Sequence, residues 1–130
     1  MDENEDNFQQ IYTEFERSKK IKTETKRMEK IFKDMPEAEK STLKKLIHEA
    51  SFMAVTLEET RLIIARDGII ESYQNGQNQK GLKKSSAVEV YDKMVNTYSK
   101  VIKQLCESLP EDKKIDPGEE IMAYVTGLRK

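Results

Sequence analysis

The stretch Asp67-Gly-Ile-Ile-Glu-Ser-Tyr-Gln-Asn-Gly-Gln-Asn-Gln-Lys-Gly-Leu-Lys-Lys-Ser-Ser-Ala-Val-Glu-Val-Tyr91 decides how this chain folds. A long helix-compatible pattern runs into it and a cleaner one runs out. Between them sit Gly68, the pair Asn75-Gly76, Gly81 and the pair Ser85-Ser86. Glycine and asparagine tolerate positive φ, so a polar stretch that concentrates them reverses the chain. The expectation is two helices folded back on each other across a polar loop, with one arm at each end.

Upstream of the loop, Asp34 and Pro36 mark a junction where Pro36 opens a helix and Asp34 caps it. Leu43, Leu46, Ile47, Ala50, Met53, Ala54, Leu57 and Ile64 then trace one helical face up to about Asp67. Phe52, Val55, Leu62 and Ile63 fall outside that stripe. A helix apolar on more than one side needs more than one neighbour. The hairpin partner covers one side; the expected cover for the other is a second copy of the chain. Downstream, Ser86-Ala-Val-Glu89 reads as a capping box. Val88, Tyr91, Met94, Val95, Tyr98, Val101, Ile102, Leu105 and Leu109 follow at three- and four-residue steps until Pro110. Two such helices make an antiparallel αα-hairpin.

The expected fold class is therefore all-α: a long antiparallel helical hairpin (36–109), an N-terminal helical arm (1–35) and a short C-terminal helix in the segment 110–130. The hairpin is expected to oligomerise, with Phe52, Val55, Leu62, Ile63, Tyr91 and Tyr98 at the interface between copies.

Within the arm, Phe8, Ile11, Tyr12 and Phe15 recur at helical spacing after an acidic tip. Arg17 to Lys33 is strongly basic over a thin apolar stripe of Ile21, Thr25, Met28, Ile31 and Phe32. Two readings stand side by side: a solvated helix, or a phosphate-facing surface built from Lys19, Lys20, Lys22, Lys26, Arg27 and Lys30. At the other end, Ile121, Tyr124, Val125 and Leu128 share a helical face after a Pro-Gly linker. That tail reads either as a docking peptide or as a cap over the bundle.

Composition limits the alternatives. The chain has 130 residues and a net charge of −1, so any nucleic-acid surface is a local patch on one small domain. A single cysteine, Cys106, excludes an internal disulfide and fits a reducing cytosol. No basic start followed by an apolar run marks a secretory signal, and no apolar run approaches membrane-spanning length. There is no Gly-rich phosphate loop and no Cys/His cluster, and His48 and Cys106 form no nucleophilic pair at a helical spacing. Acidic residues are expected on solvated helix faces. We therefore expect no enzyme activity, no metal and no cofactor.

The segment Leu46–Leu109 resembles small subunits of bacteriophage terminases, of the type found in phages and prophages of Gram-positive bacteria. The resemblance is carried by Tyr73-Gln-Asn-Gly-Gln-Asn-Gln-Lys-Gly-Leu-Lys83, by Ala87-Val-Glu-Val-Tyr91, and by Met94, Tyr98 and Ile102-Lys-Gln-Leu105. The tail Asp116-Pro-Gly-Glu-Glu-Ile-Met-Ala-Tyr-Val125 is also similar to the end of such proteins. The resemblance implies a helical, ring-forming subunit without an active site. Such a subunit binds double-stranded viral DNA in the bacterial host cytoplasm, and passes it to the large subunit that carries the ATPase and nuclease. Its expected partners are copies of itself, the viral DNA and the terminase large subunit, with no membrane involved. Many such subunits carry a compact helix-turn-helix, and 1–33 is too short for a three-helix version. Recognition would then use two helices per subunit, or the basic arm repeated around a ring. The competing reading is a helical oligomeric scaffold that does not bind DNA.

Overall fold

A computed structural model describes residues 10–77 and 79–125, with side chains as far as Met122. In chain order the elements are α1 (Glu14–Ile31), α2 (Glu37–Asp67), β1 (Ile70–Gln74), β2 (Lys80–Lys84), α3 (Ser86–Glu107), a single 3₁₀ turn (Glu111–Lys113) and α4 (Pro117–Val125). The fold is mostly helical, and the expected helical hairpin is present as α2 and α3. It is not all-α, because the polar reversal is itself a β-hairpin.

α2 is the central element. Its 31 residues span about 46 Å at 1.5 Å per residue. α3 returns along one side of it and α1 lies along another, while α4 packs across α3 and α2. α1 runs antiparallel to α2: Arg17 meets Glu59, Lys20 meets Glu58, and Ser51 lies against the Met28 sulfur. One core results, from Met28 and Phe32 through Leu43, Ile47, Ala50, Met53, Ala54 and Leu57 to Tyr98, Ile102, Leu105, Cys106 and Leu109. Burying Met28 and Phe32 contributes about 2 kcal/mol each. That is several times what a solvated pair such as Lys20–Glu58 adds.

The entry to α1 departs from the expected periodicity. Ile11 and Tyr12 precede the helix, which Thr13 caps by accepting from the Glu16 amide at 3.1 Å. Phe8 lies outside the described residues. Ile11 and Tyr12 are held instead by a carboxylate from α2. The buried Glu59 accepts from the amides of Ile11 at 3.0 Å and Tyr12 at 2.9 Å, and from both Nε (3.0 Å) and Nη2 (2.8 Å) of Arg17. The Tyr12 hydroxyl donates to Glu58, which also accepts from Lys20 at 3.1 Å. The Lys20 ammonium sits 4.7 Å from the centre of the Tyr12 ring. Burial opposes the Glu59 charge, but the Tyr12 and Ile11 amides and Arg17 outweigh it and hold the carboxyl below its usual range. Burial, the hydrogen bond to Glu58 and the two nearby carboxylates push the Tyr12 phenol up.

The other helix ends also refine the sequence reading. Pro36 occupies the N-cap of α2 without a side-chain cap. Asp34 does not cap it; its carboxylate pairs with Lys113 at 2.9 Å and tethers the C-terminal segment. At α3 the cap is Ser85, one residue before the expected one, accepting from Val88 N at 3.2 Å. The Ser85 amide still donates to Ile69 O at 2.9 Å, so the chain leaves the β-ladder and enters the helix at one residue. Ser86 donates instead to Glu71 at 3.2 Å. Gly68 ends α2 with φ +91°, a conformation open to glycine, and its amide closes on Ile64 O at 2.7 Å.

The C-terminal segment is a cap over at least part of its length. Ile115 and Ile121 pack on the core. Arg27 links Glu24 at 2.8 Å to Glu120 of α4. Cys106 lies beneath this bridge, beside Ile115 and Glu120. Burial first, and then Glu120 and Asp116, push its thiol up.

Glu59→Ala should lower unfolding free energy by about 3 kcal/mol, because it strands a partly buried guanidinium and two amides. Since the folded carboxyl titrates below the unfolded one, its contribution is complete above the unfolded value of about 4.3. It is lost as pH falls through the folded value, and urea unfolding measured across acid pH should lose that slope in the variant. Deleting residues 117–130 should make Cys106 react markedly faster with a thiol reagent, while far-UV circular dichroism retains the signal of α1–α3.

Candidate nucleic-acid interface

The six basic residues expected on the arm divide into two groups. Lys20 and Arg27 sit on the flank of α1 and are engaged within the chain, with Glu58 and with Glu24 and Glu120. Burial disfavours the Arg27 charge, yet Glu24 and Glu120 raise its pKa, so it stays cationic as a structural pin. Lys19, Lys22, Lys26 and Lys30 form the second group. Their spacing of i, i+3, i+7, i+11 puts them on one helical face, and all four are exposed.

That face is opposite the buried one. Glu24 and Met28 point into the protein, which turns the lysine row outward. The row covers about 17 Å of helix at 1.5 Å per residue. Among the described residues no ion pair engages any of the four. The carboxylates of Glu24, Glu58 and Glu59 are occupied by Arg27, Lys20 and Arg17, while Glu14, Glu16 and Glu29 of α1 are exposed. The expectation that acidic residues lie on solvated faces fails here: Glu24 and Glu59 are buried. Phe15, four residues before Lys19, continues the same face and is 76% exposed.

Where α1 turns into α2 the basic character continues. Lys33, Lys40 and Lys44 border an open groove with Glu29, Glu37, Phe32 and Leu43. Lys40 leans on Glu37 at 3.5 Å. Helical spacing does not group these lysines, because Lys33 lies in the turn at 32–36 and Lys40 and Lys44 on α2.

The residues expected between copies also divide. Val55, Ile63 and Tyr98 are buried within the single chain, so they present no surface to a neighbour. Phe52 keeps 49% of its surface, and Leu62 and Tyr91 are half-buried. α1 lies along the flank of α2 that carries Ser51, Glu58 and Glu59, so part of the second side of α2 is covered within the chain. Of the residues assigned to partner docking, Ile121 packs on the core. Tyr124 and Val125 belong to α4 by backbone, and their side chains, like Leu128, lie outside the described residues. His48 is exposed on α2 and Cys106 is buried in the core.

Exposed apolar surface gathers elsewhere. Ile69 (61%), Ile70 (56%), Tyr73 and Leu82 (74%) belong to the β-hairpin and its entry, and Val90 in the second turn of α3 is also exposed. No helix among the described residues is long and apolar enough to cross a membrane. The chain matches no protein-family model, no curated protein and no solved structure.

Proposed function

We propose that this chain is a small terminase subunit: it binds double-stranded viral DNA as an oligomeric ring, delivers that DNA to the large ATPase/nuclease subunit and regulates it. The observation that supports this reading best is the outward row Lys19, Lys22, Lys26 and Lys30. Among the described residues it has no carboxylate partner, and on the same helix Arg17, Lys20, Glu24 and Arg27 are engaged within the chain. Four lysines release few counterions when one subunit binds, so a single arm is a weak ligand for phosphates. Repetition around a ring multiplies that weak site by avidity. The likeness of Tyr73–Lys83 and Ala87–Leu105 to the terminase small subunits points the same way. The C-terminal segment from residue 123 onward, with Tyr124, Val125 and Leu128, is the part we assign to the large subunit, since Ile121 is engaged by the core.

In the full chain, replacing Lys19, Lys22, Lys26 and Lys30 by Gln should weaken binding to duplex DNA and flatten its salt dependence. The slope of log K against log salt should fall by about 0.9 for each phosphate that is no longer neutralised. Circular dichroism should not change. Lys20→Gln should alter stability more than that slope. An unchanged slope in the fourfold variant leaves the scaffold reading in place. Deleting residues 123–130, which spares Ile121, should abolish capture by the large subunit while circular dichroism retains the signal of α1–α3.

A further inference from the structure

The β-hairpin stands on its own between α2 and α3. Its strands pair Ile70 with Lys84, Glu71 with Lys83, Ser72 with Leu82, Tyr73 with Gly81 and Gln74 with Lys80. None of these residues is buried. The Tyr73 ring lies across Gly81, where a Cβ would come within 2.8 Å of it. Among the described residues the sheet contains only these two strands, so both edges are open. A lone two-stranded ribbon is marginal in water, and open edges invite further strands.

The backbone pattern shows which groups are available. Asn75 N donates to Gln79 O and Ser85 N to Ile69 O. By antiparallel alternation, residues 69, 71, 73 and 75 then turn their polar backbone groups inward. Ile70, Ser72 and Gln74 turn theirs outward on β1, and Lys80, Leu82 and Lys84 on β2. The two edges differ in charge. β1 carries Glu71 and no lysine, whereas β2 carries Lys80, Lys83 and Lys84 and no acid. Pairing β2 with a second β2 sets lysine against lysine, which is unfavourable. Pairing β1 with a second β1 satisfies one edge but leaves the lysine edge and Leu82 exposed. Pairing β1 with the β2 of another copy sets a carboxylate beside lysines. It also aligns Ile70 with the Leu82 side of the neighbour on one face, and it is the arrangement that uses both edges.

We infer that the β-hairpin is the surface through which copies of this chain join, with β1 of one copy adding to β2 of the next. An interface between two different edges is head-to-tail, and head-to-tail interfaces close into rings when the rotation allows. The inference builds on the assembly proposed above and names its interface, which lies outside the α2–α3 faces now covered by α1 and α4.

Full-length Ser72→Pro and Leu82→Pro each remove an outward amide, from β1 and β2 respectively, while leaving the internal ladder its donors. Masses are measured by light scattering at micromolar concentration, with circular dichroism and melting temperature as checks of folding. The wild type should be a closed oligomer and each variant alone a folded monomer. Mixed together, they should form a one-to-one dimer, because each supplies the edge the other lacks. Should a proline unfold the hairpin, Glu71→Lys serves instead and should dissociate the assembly. A dimer of Leu82→Pro alone would mean β1–β1 pairing and overturn the inference. Variants that keep the wild-type mass would also overturn it while leaving a ring built on other faces. A monomeric wild type would overturn both, and DNA binding by the lysine row would still be read separately from its salt slope.

Discussion

The structure depends on one captured carboxylate. Glu59 sits on the flank of α2 that faces α1, and it is satisfied only when Arg17 and the amides of Ile11 and Tyr12 arrive together. A buried carboxylate without such partners is costly. The arm is therefore committed to α2 at one end by charge and at the other by Met28 and Phe32 in the core. With both ends fixed, α1 cannot rotate, and its row of lysines faces outward.

That commitment changes what the central helix does. An α2 apolar on two sides looks, in isolation, like a helix waiting for another subunit. Here the chain's own arm lies along a second side of α2, and Val55, Ile63 and Tyr98 are interior residues of the single chain. Surface for association is left at the end of the bundle, where the connection between α2 and α3 projects as a ribbon with unlike edges. The core and the proposed assembly surface are thus separate, and a change in one need not disturb the other.

The same separation holds for charge. The carboxylates Glu24, Glu58, Glu59 and Glu120 engage Arg17, Lys20 and Arg27 internally. A chain that is close to neutral overall can in this way present one cationic helix face. Net charge therefore says little about whether this protein meets a polyanion; the arrangement of its ion pairs says more.

The amino-acid sequence by itself determined α2, α3 and most of α1. Their apolar residues recur at helical spacing over many turns, and Gly68, Pro36 and Pro110 close them off for local reasons of φ and missing amides. It also disclosed the basic character of the arm. Tertiary structure alone decided three things. The loop became a β-ribbon because its strands are short and lack clear alternation, so only pairing across the Asn75-Gly76 reversal defines them. Ile11 and Tyr12 left the helical pattern because Glu59, distant in the chain, offers their amides a better partner than another helical turn. Lys20 and Arg27 parted from the other basic residues because helical phase alone does not say which carboxylate of another element lies within reach. Periodicity reports which residues face a core; it carries no information on which neighbour supplies that core.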